Sequence, residues 1–151
     1  MDDIKPIDIL MVEDNEGDVR LAIEAFKKGR LRNLIHIVVD GVEASEFLTR
    51  QGRFSQAPRP DLILLDLNLP RKDGRELLRE IKTDPDLKRI PVVVLTTSQA
   101  EEDILRSYNS HANCYITKPI DMAQFYKIIA SIEDFWLTVV KLPPQDKENA
   151  R

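Results

Sequence analysis

The sequence predicts a doubly wound α/β fold around a five-stranded parallel sheet. Apolar runs of strand length alternate with stretches of helical period along most of the 151 residues. The strand runs are almost unbroken in Val, Ile and Leu, as strands buried on both faces require. Right-handed crossovers between such strands limit the topology to helices on both sides of the sheet.

The elements follow in order. Ile7 to Val12 reads as a buried strand. Val19, Ala22, Ile23 and Phe26 recur at helical spacing, with Asn15 placed to cap. Leu34 to Val39 is a second β-branched run, and Asp40-Gly41 marks a turn before a helix carrying Val42, Ala44, Phe47 and Leu48. Gly52 to Pro60 contains one glycine and two prolines and reads as a loop. Asp61 to Leu65 is the most apolar strand. Leu77, Leu78 and Ile81 belong to a helix that stops near Asp84-Pro85. Pro91 to Leu95 is the fourth strand, Ala100 to Tyr108 the fourth helix, and Asn113 to Thr117 a short fifth strand. Met122, Phe125, Ile129, Ile132 and Trp136 stripe a long fifth helix. A single domain over residues 1–140 is expected, followed by a polar tail over 141–151.

Composition excludes several classes. Hydrophobic residues make up 42% and charged residues 32%, as in a soluble globular domain. No apolar run approaches the roughly 20 residues that span a bilayer, and the acidic start is not a signal peptide. One cysteine, Cys114, rules out an intramolecular disulfide and suits a reducing cytoplasm. Cys114 is expected to be a small buried residue. A net charge of −4 argues against a nucleic-acid binder. His36 and His111 lack metal-ligand spacing, and Lys27, Lys28, Arg30 and Arg32 suit the dipole at a helix end.

Ligands of open α/β sheets bind outside the carboxyl ends of the strands. Those ends carry Glu13-Asp14, then Asp66-Leu67-Asn68, then Thr96-Thr97-Ser98, then Lys118-Pro119. Three acids in one pocket repel unless a cation intervenes. All-oxygen ligands suit a hard divalent ion, and Mg²⁺ suits phosphate chemistry. A lysine supplies a second positive charge for a phosphoryl oxygen, and a threonine hydroxyl can bond another. A carboxylate can itself be the nucleophile, giving an acyl phosphate. The set therefore points to phosphoryl transfer, where catalysis is mostly positioning and charge neutralisation.

In chain order these residues resemble the response-regulator receiver family, from Ile7 to about Trp136. The resemblance implies a flavodoxin-like sheet of order 2-1-3-4-5. It implies Asp66 as phosphoacceptor, with Mg²⁺ held by Glu13, Asp14, Asp66 and the backbone carbonyl of Asn68. Lys118 and Thr96 then hold phosphoryl oxygens, Tyr115 turns inward with Thr96 as the switch, and the bond before Pro119 is cis. Gly74 falls on the family's loop glycine. Asn113 to Pro119 and Ile132 to Leu137 are similar to small regulators paired with cyanobacterial phytochromes. This implies a phytochrome-type histidine kinase as donor and a homodimer. Ile128, Phe135 and Val139 form a flank of the last helix beyond one core face, and are candidates for the dimer contact.

Three departures stand out. The Gly52–Pro60 loop is long, Thr97 is larger than the usual residue after the switch hydroxyl, and His111-Ala112 replaces Gly-Ala. The first is expected to lie away from the pocket. The second would narrow the water path to the phosphoryl group. With no room for an effector domain, output is expected through protein contact, a phosphorelay step or sequestration of phosphate. Apart from self-phosphorylation and autodephosphorylation, no enzyme activity is expected. Two other readings compete. A phosphohydrolase like the haloacid dehalogenases wants a second acid where Asn68 stands. A phosphate-independent module of the same fold would not need the full set of acids.

Overall fold

The computed structural model describes residues 6–101, 103 and 114–138, the side chains of 135–138 excepted. Five parallel strands are present: β1 Ile7–Val12, β2 Asn33–Val38, β3 Leu62–Asp66, β4 Val92–Thr96 and β5 Cys114–Thr117. Their order is β2-β1-β3-β4-β5, as the family resemblance implied. The helices are α1 Glu16–Lys27, α2 Gly41–Thr49, α3 Gly74–Thr83, α4 described at residues 99–101 and 103, and α5 Met122–Thr138. The remainder of the predicted fourth helix, His111-Ala112, Val139 and the 141–151 tail lie outside the described residues.

Side-chain alternation along the strands builds two cores. Ile7, Ile9 and Met11 of β1, with Leu62, Leu64, Val93, Leu95 and Ile116, meet Phe26 of α1 and Phe125 of α5. Phe26 and Phe125 pack edge to face at 6.1 Å between centroids. The alternate residues Leu10, Val12, Ile63, Leu65, Val92 and Val94 meet Phe47 of α2 and Leu77 and Ile81 of α3. Each central strand is therefore buried on both faces, which explains its unbroken apolar run.

The edge strands depart from that expectation. Leu34 and Ile37 of β2 and Val39 beside it are exposed, because an edge strand has a neighbour on one side only. Cys114, on the other edge, is half-buried rather than buried. His36 bonds the buried Asp8 through Nε2 at 2.9 Å, a contact between β2 and β1. The Gly52–Pro60 segment holds a short 3₁₀ turn, Gly52–Phe54, whose Phe54 ring packs on Phe47 at 5.4 Å. Leu87–Arg89 forms a second such turn, which the sequence reading did not anticipate.

The chain ends of the helices follow local chemistry. Asn15 caps α1 by accepting from the Asp18 amide at 2.9 Å. Asp40 caps α2 by accepting from the Glu43 amide at 2.8 Å, so the expected Asp40-Gly41 turn is a helix start. The far end of α1 is tied to α5. Buried Glu133 accepts from the Leu31 amide at 3.0 Å and pairs with Arg30, which removes Arg30 from any free basic patch.

Gly74 starts α3 directly above the end of β3. A Cβ there would sit 2.5 Å from the Asp66 carbonyl oxygen and 2.5 Å from Leu67 Cα. Both are backbone atoms and cannot swing aside. Gly74→Ala is therefore expected to destabilise the fold by about 1–3 kcal/mol through overpacking. Urea unfolding measures this. An unchanged midpoint would mean the β3–α3 loop yields freely.

Candidate functional site at the carboxyl edge of the sheet

Strand register brings the site together. Val12 pairs with Leu65, Asp66 with Leu95, and Thr96 with Thr117, so four strands end level. The residues at and after those ends then share one edge. The Lys118 amide donates to the Thr96 carbonyl at 2.6 Å, which fixes the exit of β5 beside that of β4. The Lys118–Pro119 bond is cis.

Glu13 and Asp66 are buried, at 0% and 2% exposure, whereas Asp14 is exposed. Carboxylate oxygens of Glu13, Asp14 and Asp66 lie within 4.8 Å of one another. Asp66 Oδ1 accepts from the Asn68 amide at 2.9 Å, and Oδ2 accepts from Lys118 Nζ at 3.2 Å. Lys118 Nζ also lies 2.9 Å from Glu13 Oε1 and 2.8 Å from Asp18 Oδ2. One ammonium thus serves three carboxylates. Burial pulls the Lys118 pKa down. Hydrogen bonds to Asp18 and Glu13 and the charges of Glu13 and Asp66 outweigh that and hold it above its ordinary value.

The acids are not fully compensated. Burial, then the hydrogen bond shared with Asp66, pushes Glu13 up to about 7 from 4.5, although Lys118 pulls the other way. Glu13 Oε1 is buried and makes no aligned hydrogen bond among the described residues, despite its nearness to Lys118 Nζ. Three carboxylates offering oxygens within 4.8 Å of one another, with one lysine between them, fit a hard divalent cation. The residues present could therefore hold a metal of that class.

A pH dependence follows. A carboxyl whose pKa is raised on folding favours the folded state only when protonated. For Glu13 that contribution is complete below its ordinary 4.5 and is lost as pH rises through about 7. Metal-free protein should melt lower at about pH 7.5 than at about pH 5, and Glu13→Gln should flatten this difference. Divalent-ion affinity should rise over the same window, since the ion displaces the Glu13 proton. Melting curves and calorimetric titration at several pH values check both. A pH-independent affinity would mean Glu13 is not a ligand.

The other expected residues fall as follows. Thr96 is buried at the end of β4, but its hydroxyl donates to Glu101 Oε1 at 2.7 Å. Tyr115 is buried in the core beside α2 and α3, 7% exposed. The Asn68 side-chain amide donates to Thr97 Oγ1 at 3.1 Å, across the pocket mouth. Ile128 is half-buried against the α1–α5 core. The Phe135 side chain and Val139 lie outside the described residues. The sequence reading missed Asp18, Glu101 and Arg75. Asp18 lies in the first turn of α1, three residues after the cap Asn15 and so close to the end of β1.

Comparison with known proteins agrees with this geometry. The response regulator receiver domain family matches residues 9–130. Response regulator Rcp1 of Synechocystis is 53% identical over 135 residues, covering 89% of this chain and 92% of Rcp1. The crystal structure of the phosphorylated cyanobacterial phytochrome response regulator RcpA superposes with a TM-score of 0.77 at 52% identity, covering 93% of this chain and all of RcpA. The Mn²⁺-bound form of Rcp1 gives 0.76 at 52% identity, covering 92% of this chain and all of that one. The parallel sheet with its acids at one edge, the family match and these relatives have one consequence: the chain is a response regulator and belongs to the receiver domain family.

Proposed function

We propose that Asp66 accepts a phosphoryl group from the phosphohistidine of a histidine kinase and that the phosphorylated state signals by protein contact. The carrying observation is the buried Asp66 carboxylate, bonded by Lys118 Nζ and grouped with Glu13 and Asp14. The Asp66 oxygen forms the new P–O bond as the P–N bond of the donor breaks, and the histidine leaves. Lys118 and Thr96 take phosphoryl oxygens. Mg²⁺, held by Glu13, Asp14, Asp66 and the Asn68 carbonyl, would supply charge neutralisation on the phosphoryl oxygens. Thr96 and Tyr115 would carry the change to the surface of α4, β5 and α5.

A phytochrome-type kinase is the proposed donor, because RcpA is a cyanobacterial phytochrome response regulator. A second copy is the proposed neighbour on the flank of α5 at Ile128, Phe135 and Val139. Sedimentation that finds only monomer, phosphorylated or not, would remove the dimer. Among the described residues no helix is long and apolar enough to cross a membrane, and we place the protein in the cytoplasm.

Intact mass after incubation with acetyl phosphate and Mg²⁺ tests the chemistry. One added phosphoryl group is expected, absent with a chelator and removed by hydroxylamine, as an acyl phosphate requires. The absence of both an adduct and released phosphate would overturn the reading.

A further inference from the structure

We infer that Glu101 is a positioning residue that holds the Thr96 hydroxyl away from Asp66 and so sets how readily the phosphorylated state forms. The inference rests on the proposed role of Thr96. It begins from a count of protons. A threonine hydroxyl has one proton to donate. Thr96 donates it to Glu101 Oε1 at 2.7 Å. Its oxygen accepts from the Ser98 amide at 3.2 Å, which turns the hydroxyl proton toward Glu101. A phosphoryl oxygen on Asp66 needs that same proton, so the bond to Glu101 must break first.

Glu101 has an ordinary alternative role. It stands three residues after Ser98, whose Oγ accepts from the Glu101 amide at 3.1 Å. That is the capping-box position, where the acid would reach back to the Ser98 amide. It does not do so here, since that amide donates to Thr96 instead. Glu101 Oε2 meanwhile pairs with Arg75, whose Nη1 also donates to Asp73 at 2.8 Å. Asp73 caps α3, so the contact joins the starts of α3 and α4. A charged acceptor makes a stronger bond than a neutral one. Arg75 serves a second purpose: it leaves the Glu101 carboxylate partnered when Thr96 departs.

The two neighbours should therefore act with opposite sign. Beryllofluoride with Mg²⁺ serves as the phosphoryl mimic, read by calorimetric titration. Glu101→Ala should bind it about tenfold more tightly than the wild type, which corresponds to about 1.4 kcal/mol. Arg75→Ala should bind it several-fold less tightly. Both differences should vanish in a Thr96→Ala background. Persistence there would overturn the inference, because simple removal of a negative or positive charge near the anion does not need the hydroxyl. Unchanged or weaker binding by Glu101→Ala would also overturn it. Wild-type binding that Asp66→Asn abolishes keeps the site reading intact in either case. No binding by the wild type would overturn that reading and the inference with it.

Discussion

Lys118→Met should lower the stability of the metal-free protein by about 3–5 kcal/mol near neutral pH, the range for removing one partner of a buried ion pair. Methionine keeps the apolar stem and removes the ammonium. The loss strands Glu13 and Asp66, both buried, and Asp18, 17% exposed at its side chain. Their mutual repulsion then has no internal counterion. Glu13 responds by holding its proton more tightly, so its pKa, already raised by burial and by Asp66, rises further. Because a carboxyl with a raised pKa favours the folded state only when protonated, the deficit is largest above about pH 7 and shrinks below it as Glu13 takes up its proton. A divalent ion should restore part of it, because the ion binds only the folded arrangement. Urea unfolding at two pH values, with and without Mg²⁺, reads all of this. A loss under about 1 kcal/mol at neutral pH would mean that water already screens the acids. Labelling by acetyl phosphate should persist at a reduced rate, since Asp66 and the acids remain.

The strands were legible because burial on both faces leaves no ambiguity of period. β1 was bounded to the residue, and β3 and β4 to within one. The site was legible for a related reason. A parallel sheet aligns strand ends, so reading the residues just beyond them finds Glu13, Asp14, Asp66, Thr96 and Lys118 together. The same rule hid Asp18 and Glu101. They lie in the first turns of helices, where an acid is usually explained by the dipole or a cap. Glu101 satisfies that ordinary pattern with Ser98 in the sequence, yet its carboxylate is engaged by Thr96 and Arg75. Arg75 could not be connected to Glu101 from sequence, because the contact depends on how α3 and α4 meet. The exposed residues of β2 were misread for a different reason. An apolar run does not say whether its strand is central or at an edge, and only the order β2-β1-β3-β4-β5 decides that.

Asp66→Asn should abolish labelling and at the same time stabilise the metal-free protein, by about 1–2 kcal/mol as a removed like-charge contact. The opposed outcomes come from one atom replacement. Asp66 contributes a negative charge to Glu13 and accepts from Lys118 and the Asn68 amide. Asparagine keeps an oxygen for the Asn68 amide, and its nitrogen puts a neutral donor beside the Glu13 carboxylate in place of a charge. Lys118 retains Glu13 and Asp18. The repulsive charge is gone, so Glu13 should move back toward its ordinary carboxyl range, and the pH dependence of melting should flatten. Metal affinity should fall at least tenfold, since one of the three clustered carboxylates is lost. Melting curves with and without Mg²⁺ separate the two effects: a higher melting point without the ion, and little further rise with it. A lower melting point without the ion would mean the Asp66–Lys118 attraction outweighs the Asp66–Glu13 repulsion. Higher stability with lost labelling would mean that the crowding of acids is kept for the phosphoryl chemistry, against the interest of the fold.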